Sequence, residues 1–344
     1  MNDHRDSVYV NIRKSAFMSE TDVNWAKIES KFSEFEIKDI RVLDWEDKIE
    51  LELKRQDYSY CEDLQPGLDL LSIRKGNIKD YCVITDNNCL CLSECWLPYA
   101  WSCIRSREVT PLKHLTILHI DDHSDLMSPF ISYDKDWSFD LLTGKEVSFA
   151  DPYTIKSAVQ SGAITIGSML TPIARSAEIT RVLHLKQRVD QKRESHFTFV
   201  PKYDEDFYEP VRRAVLNYSQ PELSSDNLYV RSSKIEELLP YIGKDETLIL
   251  HIDMDYFNNR YNGSTDWTEC DQHIDINMAK QKEMMLSLCH ALGRLNQLHR
   301  IENVLIGISP SFYPVEYWKD GLHYLFKQLN ANGIMVNDLN SLIV

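Results

Sequence analysis

Two strand-like runs, Thr116 to Ile120 and Leu248 to Ile252, each end in an acidic motif, and this pairing constrains the fold most. The first leads into Asp121-Asp122-His123-Ser124-Asp125 and the second into Asp253-Met254-Asp255. Short runs dominated by Ile and Leu suit strands buried within a sheet. In open parallel sheets, ligands collect outside the carboxyl ends of the strands. Both motifs fall at such an end. Distance along the chain is no obstacle, because strand ends converge along one sheet edge.

The chemistry follows from residue type and spacing. Asp121 is expected at the last strand position, with His123 and Asp125 on the loop that turns over the edge. A spacing of two lets a tight loop aim all three at one point, and Asp253 and Asp255 repeat that spacing. Either motif alone reads equally well as a solvated turn or a helix cap. Together, at two buried strand ends, carboxylates are costly to leave unpaired, and a cation is the simplest partner. Four carboxylates with one imidazole favour hard ions such as manganese or magnesium. Shared carboxylates can bridge two ions about 3.5–4 Å apart. A metal-dependent hydrolase is the expected class.

Composition excludes other classes. At 344 residues the chain can hold one large α/β domain or two modest ones. A net charge of −15 removes the usual drive toward phosphate backbones, so nucleic acid is not expected. No apolar run reaches bilayer length and the first residues lack a signal-like core, so a cytoplasmic protein with no membrane association is expected. Cys89, Cys91 and Cys95 lie close together, but Cys89 and Cys91 alternate with Leu90 and Leu92 as in a strand. They read as packed core thiols rather than a zinc site.

Residues 1–76 read as an N-terminal extension or small subdomain, and residues 77–344 as the α/β metallohydrolase domain. The stretch from Trp45 to Tyr60 fits strand or helix equally. Strands are predicted at 81–85, 89–92, 115–120, 163–166, 197–200, 228–231, 248–252 and 304–308. Helices are predicted at 98–107, 152–161, 205–218, 233–239, 279–298 and 315–329. This alternation implies a mostly parallel central sheet with helices on both faces, and residues 185–226 read as an excursion from it.

With these residues in view, the Asp-x-His-x-Asp and Asp-x-Asp pair resembles the ureohydrolase superfamily, which includes arginase, agmatinase and, more remotely, the histone deacetylases. The segments SECWLPYAW before the first motif, GSMLTP after it and ISPSFYP after a late strand are similar to those of the peptide arginases, over about residues 80–320. Peptide arginases convert arginine to ornithine within ribosomally made peptides. The resemblance implies a three-layer arginase-like α/β fold and two Mn2+ ions held by Asp121, His123, Asp125, Asp253 and Asp255. It implies that Asp121 and Asp253 bridge the ions and that a metal-bound hydroxide releases urea from an arginine-containing precursor peptide.

The chain departs from that family pattern at three places. Arginases carry a further histidine ligand on the preceding strand; here Glu94, or Cys95, stands in its place. A histidine that shuttles protons in free-arginine enzymes is missing between His123 and His184, which leaves His251 as a candidate. The carboxylate that holds the guanidinium is also absent after the last core strand. Glu94, Asp122 and Asp266 are alternatives, since a guanidinium needs a carboxylate for bidentate recognition. Tyr256 and Trp267 are expected at the mouth of the cleft, gripping a peptide or anchoring a surface loop. Two competing functions are a zinc-dependent, deacetylase-like amide hydrolase and a catalytically inactive, metal-stabilised peptide-binding module. No oligomeric state is implied.

Overall fold

The computed structural model describes residues 7–19, 22–33, 35–43, 46–55, 60–107, 112–133, 138–189, 191–219, 226–243, 246–264, 267–269 and 273–342. The chain opens with strands β1 (Ser7–Arg13), β2 (Met18–Ser19), β3 (Asp22–Val23), β4 (Phe35–Leu43) and β5 (Lys48–Arg55). Helices α1 (Lys14–Phe17) and α2 (Trp25–Lys31) lie among them. β1, β5 and β4 form a three-stranded antiparallel sheet. Its central strand, β5, shows a period of two, with Ile49, Leu51 and Leu53 buried on one side.

Next come α3 (Gln65–Leu70), β6 (Cys82–Ile84), β7 (Asn88–Cys91), α4 (Leu97–Arg105), β8 (Leu112–Ile120), α5 (Pro152–Ser161) and α6 (Leu170–Ala174). Strands β9 (Ala177–Leu185), β10 (Arg193–Asp204), β11 (Val211–Ser219), β12 (Leu228–Ser232) and β13 (Thr247–Asp253) follow. The chain closes with α7 (Met278–Leu298), β14 (Ile301–Gly307), α8 (Trp318–Ala331) and α9 (Asn337–Asn340).

The large sheet has nine strands in the order β11-β10-β12-β9-β8-β13-β14-β7-β6. From β12 through β7 every pairing is parallel, and β6, β10 and β11 join antiparallel at the edges. Alternation along the parallel strands divides their side chains between two cores. Leu90, Leu118, Ile120, Leu250, Ile252 and Ile306 pack with residues of α3, α7 and α8. Cys89, Cys91, Ile117, Ile249 and Leu305 pack with α4, α5, α6 and the three-stranded sheet. The architecture is thus a three-layer α/β fold with a mostly parallel sheet. Local signals agree: Asp151 caps α5, Pro152 opens it, and Gly162 at φ 85° ends it. Among the described residues no helix is long and apolar enough to cross a membrane.

Three expectations are corrected. Residues 163–166 form no strand; the apolar character there serves a buried turn leading into a short 3-10 helix, Ile166–Ser168. The strand of that region is β9, whose interspersed Glu178 and Arg181 disguise it. Residues 211–219 are strand rather than helix, because β11 finds a nine-residue antiparallel partner in β10. That hairpin extends the central sheet, so the excursion expected over residues 185–226 is corrected for β10 and β11, which belong to the sheet. Tertiary pairing overrode a locally helical composition.

Candidate metal centre

β8 and β13 are hydrogen-bonded neighbours in parallel register, with Ile120 opposite Ile252. Asp121 and Asp253 therefore leave the sheet side by side. Each begins the same local turn. The His123 N–H donates to Asp121 Oδ1 at 2.5 Å, and the Asp255 N–H donates to Asp253 Oδ1 at 2.9 Å. An aspartate that accepts from the amide two residues on is a self-closing turn, which gives the spacing of two a structural cause. The two turns meet: His123 Nδ1 lies 2.8 Å from Asp255 Oδ2, and the Asp122 N–H donates to Asp255 Oδ1 at 3.2 Å.

Glu94 comes from the short 3-10 helix Glu94–Trp96 after β7 and is buried beside this pair. Oxygens of Glu94, Asp121 and Asp253 lie within 4.8 Å of one another, as do ligand atoms of Asp121, His123 and Asp255. Asp125 rests against Asp121 and Glu94. Its φ of 49° is left-handed, a conformation few non-glycine residues adopt without a compensating role. Cys95 packs in the core with α4 and α5, its Sγ 3.1 Å from Ser93 Oγ. Glu94 thus has room only because β14 ends in glycine. A Cβ at Gly307 would lie 2.5 Å from Glu94 Cγ and Oε1. Gly307→Ala is expected to push Glu94 out of the cluster, weakening divalent-ion binding while costing about 1–3 kcal/mol by overpacking. Metal titration and thermal melting of the variant check both effects.

Five buried carboxylates this close cannot all ionise in the absence of a cation. Burial first, and mutual repulsion second, raise Asp121, Asp253 and Glu94 well above ordinary carboxylate values. Asp125 is pushed up to about 6, again mainly by burial. Burial is the largest single influence on His123 and opposes its protonation, yet Asp255, Asp125 and Asp253 together outweigh it and lift the imidazole to about 10. Asp121 Oδ2 and Asp125 Oδ2 are buried without a hydrogen-bond partner. Orphaned carboxylate oxygens beside an imidazole are the donor set a divalent cation needs, so these residues fit one or more such ions.

Neighbouring segments brace the cluster. Ser309, at φ 55°, donates from Oγ to Asp253 Oδ2 at 2.7 Å. Leu170 and Met127 amides bond to the Asp125 and Gly167 carbonyls at 3.0 and 2.9 Å, which ties the first loop to residues 167–170. The Phe312 ring lies 5.0 Å from the His123 ring. His123, 36% exposed at its side chain, faces the solvent edge of the cluster, whereas the side chains of Asp121 and Asp255 are wholly buried. Beside it a narrow slot is lined by Tyr60, Ile78, Leu92, Ile166, Ser309 and Phe312. Its volume is about 20 Å3, little more than the about 10–15 Å3 that one water requires.

The remaining sequence candidates lie as follows. Asp122 is buried, and its Oδ2 accepts from Arg188 Nη2 at 2.8 Å and Asn259 Nδ2 at 3.0 Å. With Lys186 Nζ also 3.8 Å from Oδ1, its charge is already compensated. Tyr256 is buried against Phe257, at 5.2 Å between rings, and its carbonyl accepts from Gln187. Trp267 packs edge-on to Tyr261 and His273. Asp266 lies outside the described residues. His251 is buried in β13, and its Nε2 sits 2.8 Å from Glu94 Oε1.

Sequence reasoning missed Ser309, His119 and His184. The two histidines are visible in the sequence as imidazoles within apolar strands, but only strand register shows where they meet. Comparison of the chain with known protein families finds no match, and comparison with curated proteins finds none either.

Proposed function

We propose that the protein is a divalent-metal-dependent hydrolase of the ureohydrolase type that converts arginine side chains of a peptide to ornithine and urea. One observation carries this reading. Glu94, Asp121, His123, Asp125, Asp253 and Asp255, from three separate segments, converge with carboxylate oxygens left bare. The segments behind the family resemblance are the ones gathered here: Glu94 from the first, residues 167–170 as a brace, and Ser309 on Asp253.

A pair of manganese ions would supply Lewis acidity and lower the pKa of a bound water. The chain's own residues do the rest. Glu94, Asp121, Asp125, Asp253 and Asp255 would lend the site the negative potential that a cationic guanidinium needs. Water adds to the guanidino carbon, the C–N bond to the side-chain nitrogen breaks, and that nitrogen takes a proton. The products are an amine and urea.

The test is mass spectrometry of an arginine-containing peptide and of free arginine, each incubated with manganese-loaded protein. Loss of one carbon and two nitrogens per arginine from the peptide alone supports the proposal. With metal confirmed bound, no change in either substrate would sink it in favour of an amide hydrolase or a non-catalytic binding module.

A further inference from the structure

Directly beneath the metal-binding loops, three strands place histidines at one level. His251 of β13 is opposite His119 of β8, and His119 is opposite His184 of β9. All three are at most 1% exposed, with ring centroids 4.9 and 4.6 Å apart along the row. Placing three imidazoles in a core is costly unless every nitrogen is satisfied, and here every one is. His251 bonds Glu94 through Nε2 and His119 through Nδ1, the latter at 2.7 Å. His119 Nε2 lies 2.9 Å from the His123 carbonyl, and His184 Nε2 lies 3.0 Å from the Asp121 carbonyl. His184 Nδ1 lies 2.7 Å from the Tyr229 hydroxyl.

The acceptors decide the tautomers. A carbonyl only accepts, so Nε2 of both His119 and His184 carries the proton. In each neutral ring Nδ1 then accepts, from His251 in one case and from the Tyr229 hydroxyl in the other. Ile117 and Val182, one level below in the same strands, show that plain apolar residues fill such positions. The imidazoles do something that Ile and Val cannot.

We infer that His119 and His184 are positioning residues of the metal centre. Their Nε2–H groups hold the His123 and Asp121 carbonyls and thereby set the curl of the loop that aims Asp121, His123 and Asp125 at one point. Tyr229 acts one step further back by fixing the tautomer of His184. The inference rests on the metal-centre reading, and one experiment separates the two.

The experiment is a Mn2+ titration of metal-free wild type, Tyr229→Phe and His119→Leu against a competing chelating dye, with thermal melts of the metal-free forms. Folded His119→Leu should bind Mn2+ about 10–100-fold more weakly, the usual cost of losing a group that orients a ligand. Tyr229→Phe, which touches no ligand, should weaken binding several-fold, while its metal-free melting temperature falls only by the loss of one buried hydrogen bond. Wild-type affinity in Tyr229→Phe, and in His119→Leu if it folds, would overturn the positioning role while leaving the metal centre intact. If His119→Leu does not fold, Tyr229→Phe decides alone. A wild type that binds no Mn2+ would overturn both.

Discussion

Asp253→Ala is expected to lower the proposed arginine hydrolysis by on the order of 10³-fold or more, because it removes a carboxylate that would hold the cations. The geometry specifies the loss. Asp253 accepts the Asp255 amide through Oδ1 and the Ser309 hydroxyl through Oδ2, so one side chain organises both the second motif and its brace. Metal content should fall in parallel. Stability of the metal-free protein should change much less, since the variant orphans two donors but also removes one of the mutually repelling carboxylates. Asp253→Asn, which keeps the shape and an acceptor oxygen, separates loss of charge from loss of packing. Measured turnover close to wild type in both variants would be incompatible with the proposed centre.

The second large effect is a pH-dependent stabilisation by metal. Asp121, Asp253 and Glu94 are raised in the folded protein, and Asp125 is raised to about 6. A carboxyl raised on folding contributes stability that is present below its unfolded value and is lost as pH rises through its folded value. The metal-free protein should therefore lose stability as pH climbs through about 6 and beyond. A divalent ion neutralises the ionised cluster, so its stabilising increment should grow over the same range. At 100 times its dissociation constant each ion adds about 2.7 kcal/mol, or roughly 4 °C in melting temperature for a chain of this size. Calorimetric melts with and without Mn2+ at pH 5 and pH 8 measure the increment, and titration in buffers of different ionisation enthalpy counts the protons displaced. An increment independent of pH would show that the cluster is not where the metal binds.

The candidate cluster was legible because its aspartates and His123 sit two residues from one another at the ends of Ile- and Leu-rich strands, a pattern that needs only local sequence. Helices 152–161 and 279–298 were legible for the same reason, with Asp151 and Asn277 marking their starts. What depends on pairing was not. β11 looks helical until β10 is beside it, and β9 carries charges that only its neighbours make sense of. Glu94 could be weighed against Cys95 in the sequence, but the choice depends on a glycine more than 200 residues away that leaves it space. The histidine row is a property of register across β13, β8 and β9, and register is non-local.

Strand order also bears on when the centre can come into being. β13 lies between β8 and β14 in space, yet it is made after β8 through β12, and its aspartates enter only when roughly three quarters of the chain exists. A nascent chain that has exposed Asp121, His123 and Asp125 has no second motif to close the site, and Glu94 has no Gly307 to nestle against. Any ion capture would therefore follow the synthesis of β14 and its Gly307. The parallel sheet must assemble first, through contacts distant in sequence and slow to form, with the cluster's own protons standing in for the ion until then.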